Sequence, residues 1–212
     1  MSAPLKIDLH VHTCYSCDGV TNLKEVVAYC KKKGLDGVAV TDHNTIKGAL
    51  KLAKTREIIV IPGIEVETLH GHLLALNVTA PIPSKLSSLE AIEQAHEAGG
   101  IAVACHPTSF YKMGWKPQIL KSSNLDAVEV INSSAFPFSI STRLNRKLAV
   151  RFNLPQTAGS DSHIPETIGM AYTLIQAESE IEKIIQAIKE GATVPQGKAI
   201  SLKARFKKAL WI

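Results

Sequence analysis

Strand-like and helix-like segments alternate along most of this 212-residue chain. The strand-like stretches are short, apolar and rich in β-branched residues, and the segments between them have the 3.6-residue period of amphipathic helices. This alternation is typical of a parallel α/β domain. We predict strands over residues 6–11, 36–41, 58–64, 71–78, 101–105, 127–131, 156–158 and 172–175, and helices over 22–33, 45–55, 87–99, 139–152 and 178–190.

Polar residues capable of binding metal ions follow five of these strands. The five clusters are Leu9-His10-Val11-His12, Thr41-Asp42-His43, Gly63-Ile64-Glu65, Cys105-His106-Pro107 and Ser160-Asp161-Ser162-His163. In a (β/α) barrel the carboxyl ends of the strands meet on one rim, where active sites lie. Because about 250 residues is typical of eight β/α units, the length of this chain predicts a smaller or distorted barrel.

The residue types in these clusters favour a metal site. Imidazoles and carboxylates gathered on one rim are ligands for divalent transition metals. His10 and His12 share one face of their strand because side chains alternate, and Asp161 and His163 repeat the same spacing. A single histidine is compatible with an ordinary core or surface position, whereas five clusters at equivalent strand ends are not readily explained by packing.

Taken together, these motifs resemble those of the polymerase and histidinol phosphatase (PHP) family. The resemblance runs in order from residue 5 to about residue 175. It rests on Asp8-Leu9-His10-Val11-His12-Thr13, Ser16-Cys17-Asp18-Gly19, Thr41-Asp42-His43, Gly63-Ile64-Glu65, His106-Pro107 and Gly159-Ser160-Asp161-Ser162-His163. It implies an α/β fold, a distorted seven-stranded TIM-like (β/α) barrel, with a two- or three-metal site that hydrolyses phosphoesters.

Carried over position by position, the family pattern implies nine metal ligands. The first ion would be held by His10, His12, Glu65 and Asp161, the second by Glu65, His72 and His106, and the third by Asp18, His43 and His163. Many relatives have histidine in place of Asp18, so the more oxygen-rich site would favour manganese or iron over zinc. His70 is an alternative to His72, which we prefer because it opens the apolar run 73–76.

The resemblance also implies a mechanism. Two ions, bridged by Glu65, would lower the pKa of a shared water, and the resulting hydroxide would attack phosphorus in line. Asp161 or His163 could accept the proton released by this water. The sequence does not separate a metal-ligand role from an acid/base role for either residue.

The substrate phosphate is expected to need further polar contacts. Arg143 is our preferred clamp, since a guanidinium matches phosphate oxygens bidentately. Lys112 follows the His106 loop, and Asn132 ends its strand, where it could orient a ligand or a water. The alternative roles are a solvated surface position for the two cations and hydrogen bonding within a loop for Asn132.

The net charge of +5 comes from the C-terminal tail. Residues 198–212 contain five basic residues and no acidic one, so residues 1–197, the predicted single-domain barrel, are neutral. The tail has the spacing of a basic amphipathic helix. We predict that it packs its apolar side on the barrel with its lysines in solvent; contact with nucleic acid or an anionic membrane is the alternative.

Several classes of protein are disfavoured. No apolar run approaches the ~18 residues of a membrane span, and the N-terminus has no signal-peptide pattern, so we expect a cytoplasmic protein without membrane association. Four cysteines are not a disulfide framework. Cys14-Tyr15-Ser16-Cys17 could be a redox pair or half a zinc site, but a second CxxC is absent.

The leading hypothesis is a phosphatase acting on small phosphomonoesters or nucleotides. A 5′-directed exonuclease on short oligonucleotides would use the same metals. An amidohydrolase-type enzyme would have a bridging lysine and a lone terminal aspartate, and a non-catalytic RNA-binding barrel would have lost ligands. Neither pattern matches the presence of Glu65 and the paired Asp161 and His163. The substrate and the oligomeric state are left open.

Overall fold

A computed structural model describes residues 3–109 and 114–211. The strands are β1 (Leu5–Val11), β2 (Gly37–Val40), β3 (Ile59–Thr68), β4 (Gly71–Leu76), β5 (Ile101–Ala104), β6 (Ala127–Asn132), β7 (Gln156–Gly159), β8 (Ala171–Ile175) and β9 (Thr193–Gly197). The helices are α1 (Leu23–Lys32), α2 (Lys47–Leu52), α3 (Ser88–Glu97), α4 (Pro117–Ser122), α5 (Phe138–Phe152), α6 (Ile181–Lys189) and α7 (Leu202–Trp211).

The described strands form one sheet in the order β7-β6-β5-β4-β3-β2-β1-β8-β9. Strands β1 to β3 and β5 to β7 pair in parallel, whereas β4, β8 and β9 join by antiparallel pairing. The two edges approach each other, and Thr193 Oγ1 donates to Gln156 O at 2.8 Å. The sheet is therefore a nearly closed barrel, which confirms the predicted TIM-like α/β fold. It has nine strands where the resemblance implied seven, and β9 was not predicted.

Local sequence signals place the helices that cover the sheet. Asn22 with Glu25 and Ser87 with Glu90 form capping boxes at the starts of α1 and α3. One apolar cluster joins the sheet to Val26 of α1. A second joins strand residues such as Ile61 to Ile184 of α6. These apolar clusters pack the helices against the sheet and do not include the polar residues at the strand ends, where a site can form.

The C-terminal helix α7 contacts the barrel through its basic side. Arg205 donates to the carbonyl oxygens of Ser134 at 3.0 Å and Ala135 at 2.9 Å, and Lys207 pairs with Glu166. Leu202, Phe206 and Leu210 are 68%, 71% and 86% exposed. The expected orientation, with the apolar side inward, is wrong because the barrel rim offers acceptors for the cations. No helix in the described ranges is both long and apolar enough to cross a membrane.

Candidate metal centre

Glu65 lies fully buried between two groups of histidines. Its Oε2 atom is 2.9 Å from His10 Nε2 and 3.1 Å from His12 Nε2. Its Oε1 atom is 2.7 Å from His72 Nδ1 and 3.0 Å from His106 Nε2. A carboxylate whose two oxygens face separate pairs of imidazole nitrogens has the arrangement of a ligand that bridges two cations.

The remaining candidate ligands extend this centre in two directions. Asp161 Oδ1 lies 3.5 Å from His10 Nε2 and 3.3 Å from His12 Nε2. Asp18 Oδ2 lies 2.9 Å from His163 Nε2 and 3.5 Å from His43 Nε2. The structure brings together all nine residues that the resemblance implied, in the sets His10, His12, Glu65 and Asp161; His12, Asp18, His43 and His163; His43, Glu65 and His72; and Glu65 and His106 with Cys105.

Strand geometry explains how distant parts of the chain meet here. His10 lies near the end of β1, and His106 lies two residues after the end of β5. A parallel β-bridge aligns His43, after β2, with Glu65 in β3. His106 and Asp161 have positive φ angles of 31° and 52°. Non-glycine residues in this region store strain that tends to occur at functional sites.

The donor set fits divalent cations. Nε2 of His10 and Nε2 of His12 are 3.1 Å apart and face the same carboxylate oxygen of Glu65. One cation can bind the lone pairs of all three atoms, whereas one proton cannot. Burial lowers the pKa of His10, but Glu129, Glu65 and Asp161 outweigh it and raise that pKa well above its ordinary value. The buried carboxylates thus create a negative field that a divalent ion would neutralise. Nitrogen and carboxylate ligands suit manganese, iron or zinc.

Charge and burial also shift pKa values in the group formed by His12, Asp18, His43 and His163. Burial and the neighbouring His163 lower the pKa of His12 to about 4. Burial opposes ionisation of Asp18, but hydrogen bonding to His163 and the charges of His163 and His43 hold the pKa of that carboxyl well below its usual range. Asp18 therefore presents an anionic oxygen and His12 an unprotonated ring, the forms that metal ligation requires.

Glu129 is a functional candidate that our sequence reasoning missed. This buried residue of β6 accepts a hydrogen bond from His10 Nδ1 at 2.9 Å. Its other oxygen accepts from the backbone N–H of His106 at 2.9 Å and from Asn132 Nδ2 at 2.9 Å. By holding the proton of His10 on Nδ1, Glu129 turns Nε2 toward the centre as a lone pair. The available signal was a lone acid within an apolar strand.

Asp8 connects β1 to the loops that carry Asp161. Its Oδ1 accepts from the backbone N–H of Ser160 at 2.8 Å, and its Oδ2 accepts from that of Gly169 at 2.8 Å. Burial raises the pKa of Asp8 to about 6, although these hydrogen bonds oppose the shift. Asp8 therefore links β1 by hydrogen bonds to the backbone on both sides of Asp161 and His163.

A cavity of about 110 Å³ adjoins the centre. It is lined by His106, Ser109, Asn132, Ser134, Ala135, Phe136, Ser141, Asn145, Asp161 and Lys208. Asn132 lines it while its Nδ2 donates to Glu129 and its Oδ1 accepts from the Ser134 N–H, so the predicted site position and the loop hydrogen bond coexist. Lys208 was not among the sequence candidates, yet its Nζ lies 3.0 Å from His163 Nδ1.

The other sequence candidates lie elsewhere. Arg143 is exposed and lines a separate groove along α5 with Arg146, Lys147 and Arg151. It does not line the cavity beside the candidate ligands. Lys112 lies outside the described residues.

Two alternative ligand motifs are not used by the centre in this structure. His70 Nδ1 accepts a hydrogen bond from the Ser88 N–H at 3.3 Å, whereas His72 contacts Glu65. Cys14 and Cys17 are exposed free thiols. Of the two histidines, His72 lies in a group with Glu65 and His43. Cys14 and Cys17 belong to none of the possible metal-binding groups of the described chain.

Comparisons with known proteins find a matching family model and similar proteins. The PHP-associated family model matches residues 140–193. An uncharacterized protein from Methanocaldococcus jannaschii is 38% identical over 142 residues, which is 61% of this chain and 82% of that protein. A probable phosphatase from Syntrophotalea carbinolica is 25% identical over 204 residues, covering 79% of this chain and 85% of its own length.

A solved structure extends the likeness to the fold. It is a two-domain Bacteroides vulgatus protein containing a predicted PHP-like metal-dependent phosphoesterase, with a TM-score of 0.75 and 20% identity. The match covers 96% of this chain and 69% of that chain. At this level of identity the likeness concerns the fold alone.

Proposed function

We propose that this chain, which belongs to the polymerase and histidinol phosphatase family, is a metal-dependent phosphoesterase. Its substrates in this proposal are phosphomonoesters, including nucleotide phosphates. The observation that carries the proposal is the position of Glu65, whose two oxygens each face a different pair of histidine nitrogens. This arrangement supports two adjacent ions. A carboxylate in the bridging position, rather than a lysine, favours a phosphoesterase over the amidohydrolase alternative.

Each part of the centre has a distinct task in this proposal. His10, His12, Glu65 and Asp161 would hold one ion, Glu65, His72 and His106 a second, and Asp18, His43 and His163 a third. Divalent ions, when bound, supply Lewis acidity and lower the pKa of water, so no covalent protein nucleophile is required. The carboxylate of Asp161 lines both the centre and the cavity, and it is our proposed acceptor for the proton of the attacking water.

The cavity size supports a terminal phosphate as the reacting group. Sites that enclose a drug-sized molecule have volumes of roughly 300–1,000 Å³. The 110 Å³ beside Asp161 suits a phosphoryl group whose leaving group remains outside. Phe136 lines this cavity and is 49% exposed, which is compatible with stacking of a nucleobase. This position is why a nucleotide or the 5′ end of a short oligonucleotide stays among the candidate substrates.

A substrate screen with defined metals tests the proposal. Chelator-treated protein would be reloaded with Mn²⁺, Fe²⁺ or Zn²⁺ and assayed with phosphomonoesters, nucleotides and 5′-phosphorylated short oligonucleotides. We expect phosphate release that requires metal, with at least two equivalents bound. Glu65→Gln should lose both metal and activity, while Glu93→Gln, an exposed change on α3, should retain both. Less than one equivalent of metal in the wild type, with no phosphate release, would refute the proposal.

A further inference from the structure

The C-terminal helix reaches the candidate active site. Arg205 anchors α7 to the carbonyl oxygens of Ser134 and Ala135, and its guanidinium lies 5.2 Å from the centre of the Phe136 ring. The Lys207–Glu166 ion pair holds the same side of the helix. Lys208, one residue further, is thereby brought into the cavity beside Asp161.

The chemistry of the cavity matches a phosphoryl group. Hydroxyl and amide groups of Ser109, Asn132 and Asn145 line it, whereas the Ser134 hydroxyl already donates to the backbone oxygen of Asp161 at 2.9 Å. Among the described residues that line the cavity, Lys208 supplies the lysine or arginine charge. Such groups donate hydrogen bonds to phosphate oxygens, and an ammonium adds charge. The arginines and lysine of α5 face a different groove and do not supply that charge here.

The contact between Lys208 and His163 explains how the ammonium becomes available. In this structure His163 Nε2 lies 2.9 Å from the Asp18 carboxylate, and Nδ1 lies 3.0 Å from Lys208 Nζ and 2.9 Å from Asp161 O. If His163 were to hold a metal through Nε2, its ring proton would reside on Nδ1 and would be donated to Asp161 O. Nδ1 would then not accept a hydrogen bond from Lys208, and the Lys208 ammonium beside the cavity would have its donors available to an anion.

We propose that Lys208 is the substrate-binding cation for the terminal phosphoryl group, and that α7 is part of the active site. The inference deepens the proposed function and rests on it for the identity of the reaction. The substrate class is a phosphomonoester whose dianionic end enters the cavity, while the rest of the molecule passes outside, next to Phe136 and α7. In this proposal the basic tail binds a single phosphate group, through Lys208, at the active site.

Binding of inorganic phosphate to the metal-loaded protein tests this proposal directly. Lys208→Gln removes the charge and keeps much of the side-chain volume, and Lys203→Gln makes the same change at an exposed position of the same helix. Loss of one hydrogen bond from a charged donor should weaken phosphate binding by roughly 10- to 100-fold in calorimetry. Lys208→Arg should recover part of it, and Lys203→Gln should bind like the wild type.

Two further measurements separate this role from a structural one. Metal content should be unchanged in Lys208→Gln, and hydrogen exchange of α7 should match that of Lys203→Gln. Phosphate affinity equal to the wild type would overturn the proposal, as would a loss of metal or release of α7 that accounts for the weaker binding. Absence of hydrolysis by the wild type would refute the proposed function, whereas phosphate calorimetry would still decide whether Lys208 binds the anion.

Discussion

Glu129 contacts the candidate metal ligands without being one of them, so its replacement tests how the centre is held in shape. One of its oxygens accepts from His10 Nδ1, and the other accepts from the His106 N–H and from Asn132 Nδ2, all at 2.9 Å. Glu129→Gln preserves the size of the side chain. It replaces one acceptor oxygen by an NH₂ group that can only donate.

The structure sets the expected magnitude. If the new NH₂ faces His106 and Asn132, two buried donors lose their acceptor. If it faces His10, either the Nδ1–H is left unpaired or the proton moves to Nε2, which removes the lone pair needed for a metal. A hydrogen bond to a charged group contributes about 1.5–3 kcal/mol. Losing the equivalent of one should weaken metal binding by about 10- to 100-fold.

Metal affinity is the decisive assay. Equilibrium dialysis followed by elemental analysis would compare Glu129→Gln with Glu93→Gln, whose side chain is exposed on α3. Thermal unfolding in the presence of chelator would report whether the metal-free fold is retained. A folded Glu129→Gln protein that binds metal with wild-type affinity and hydrolyses substrate at the wild-type rate would refute the orienting role of this residue.

Three other predictions concern the same framework. In Gly159→Ala the added Cβ would lie 2.3 Å from His10 Cβ, so we expect about 1–3 kcal/mol of lost stability together with reduced metal content, measured by denaturant unfolding and elemental analysis. Chelation should lower the unfolding temperature, because metal at 100 times its dissociation constant stabilises the native state by about 2.7 kcal/mol; an unchanged temperature would contradict specific binding. Hydrogen bonding to Lys207 lowers the pKa of Glu166 from 4.5, and the pair raises the pKa of Lys207 from 10.5. Docking of α7 by this pair should therefore weaken as the pH falls through the lowered Glu166 value or rises through the raised Lys207 value, and hydrogen exchange of α7 in wild type and Glu166→Gln measures it.

The candidate ligands were predictable because each motif is local and its geometry is simple. His10 and His12 are two residues apart on a strand, so they share a face whatever surrounds them. Strand-and-helix alternation then predicts a barrel whose strand ends meet on one rim. These two rules, together with the resemblance, account for the convergence of residues as far apart as His10 and His163.

Contacts that depend on the exact approach of distant segments were not predictable in the same way. Glu129 lies 119 residues from His10 in sequence, and nothing in the strand 127–132 indicates which ring its carboxylate meets. The choice between His70 and His72 likewise depended on the pairing of β3 with β4, which places His72 opposite Glu67, two residues from Glu65, so that its Nδ1 lies 2.7 Å from Glu65 Oε1.

The sequence by itself determined the α/β alternation, the rim of candidate ligands and the basic amphipathic character of the tail. Only the tertiary structure decided which face of α7 meets the barrel and which cation reaches the cavity. An amphipathic pattern predicts an inward apolar face because burying apolar surface is favourable. Here the rim supplies carbonyl oxygens for Arg205 and a carboxylate for Lys207, so the basic face docks instead and brings Lys208, rather than Arg143, to the centre.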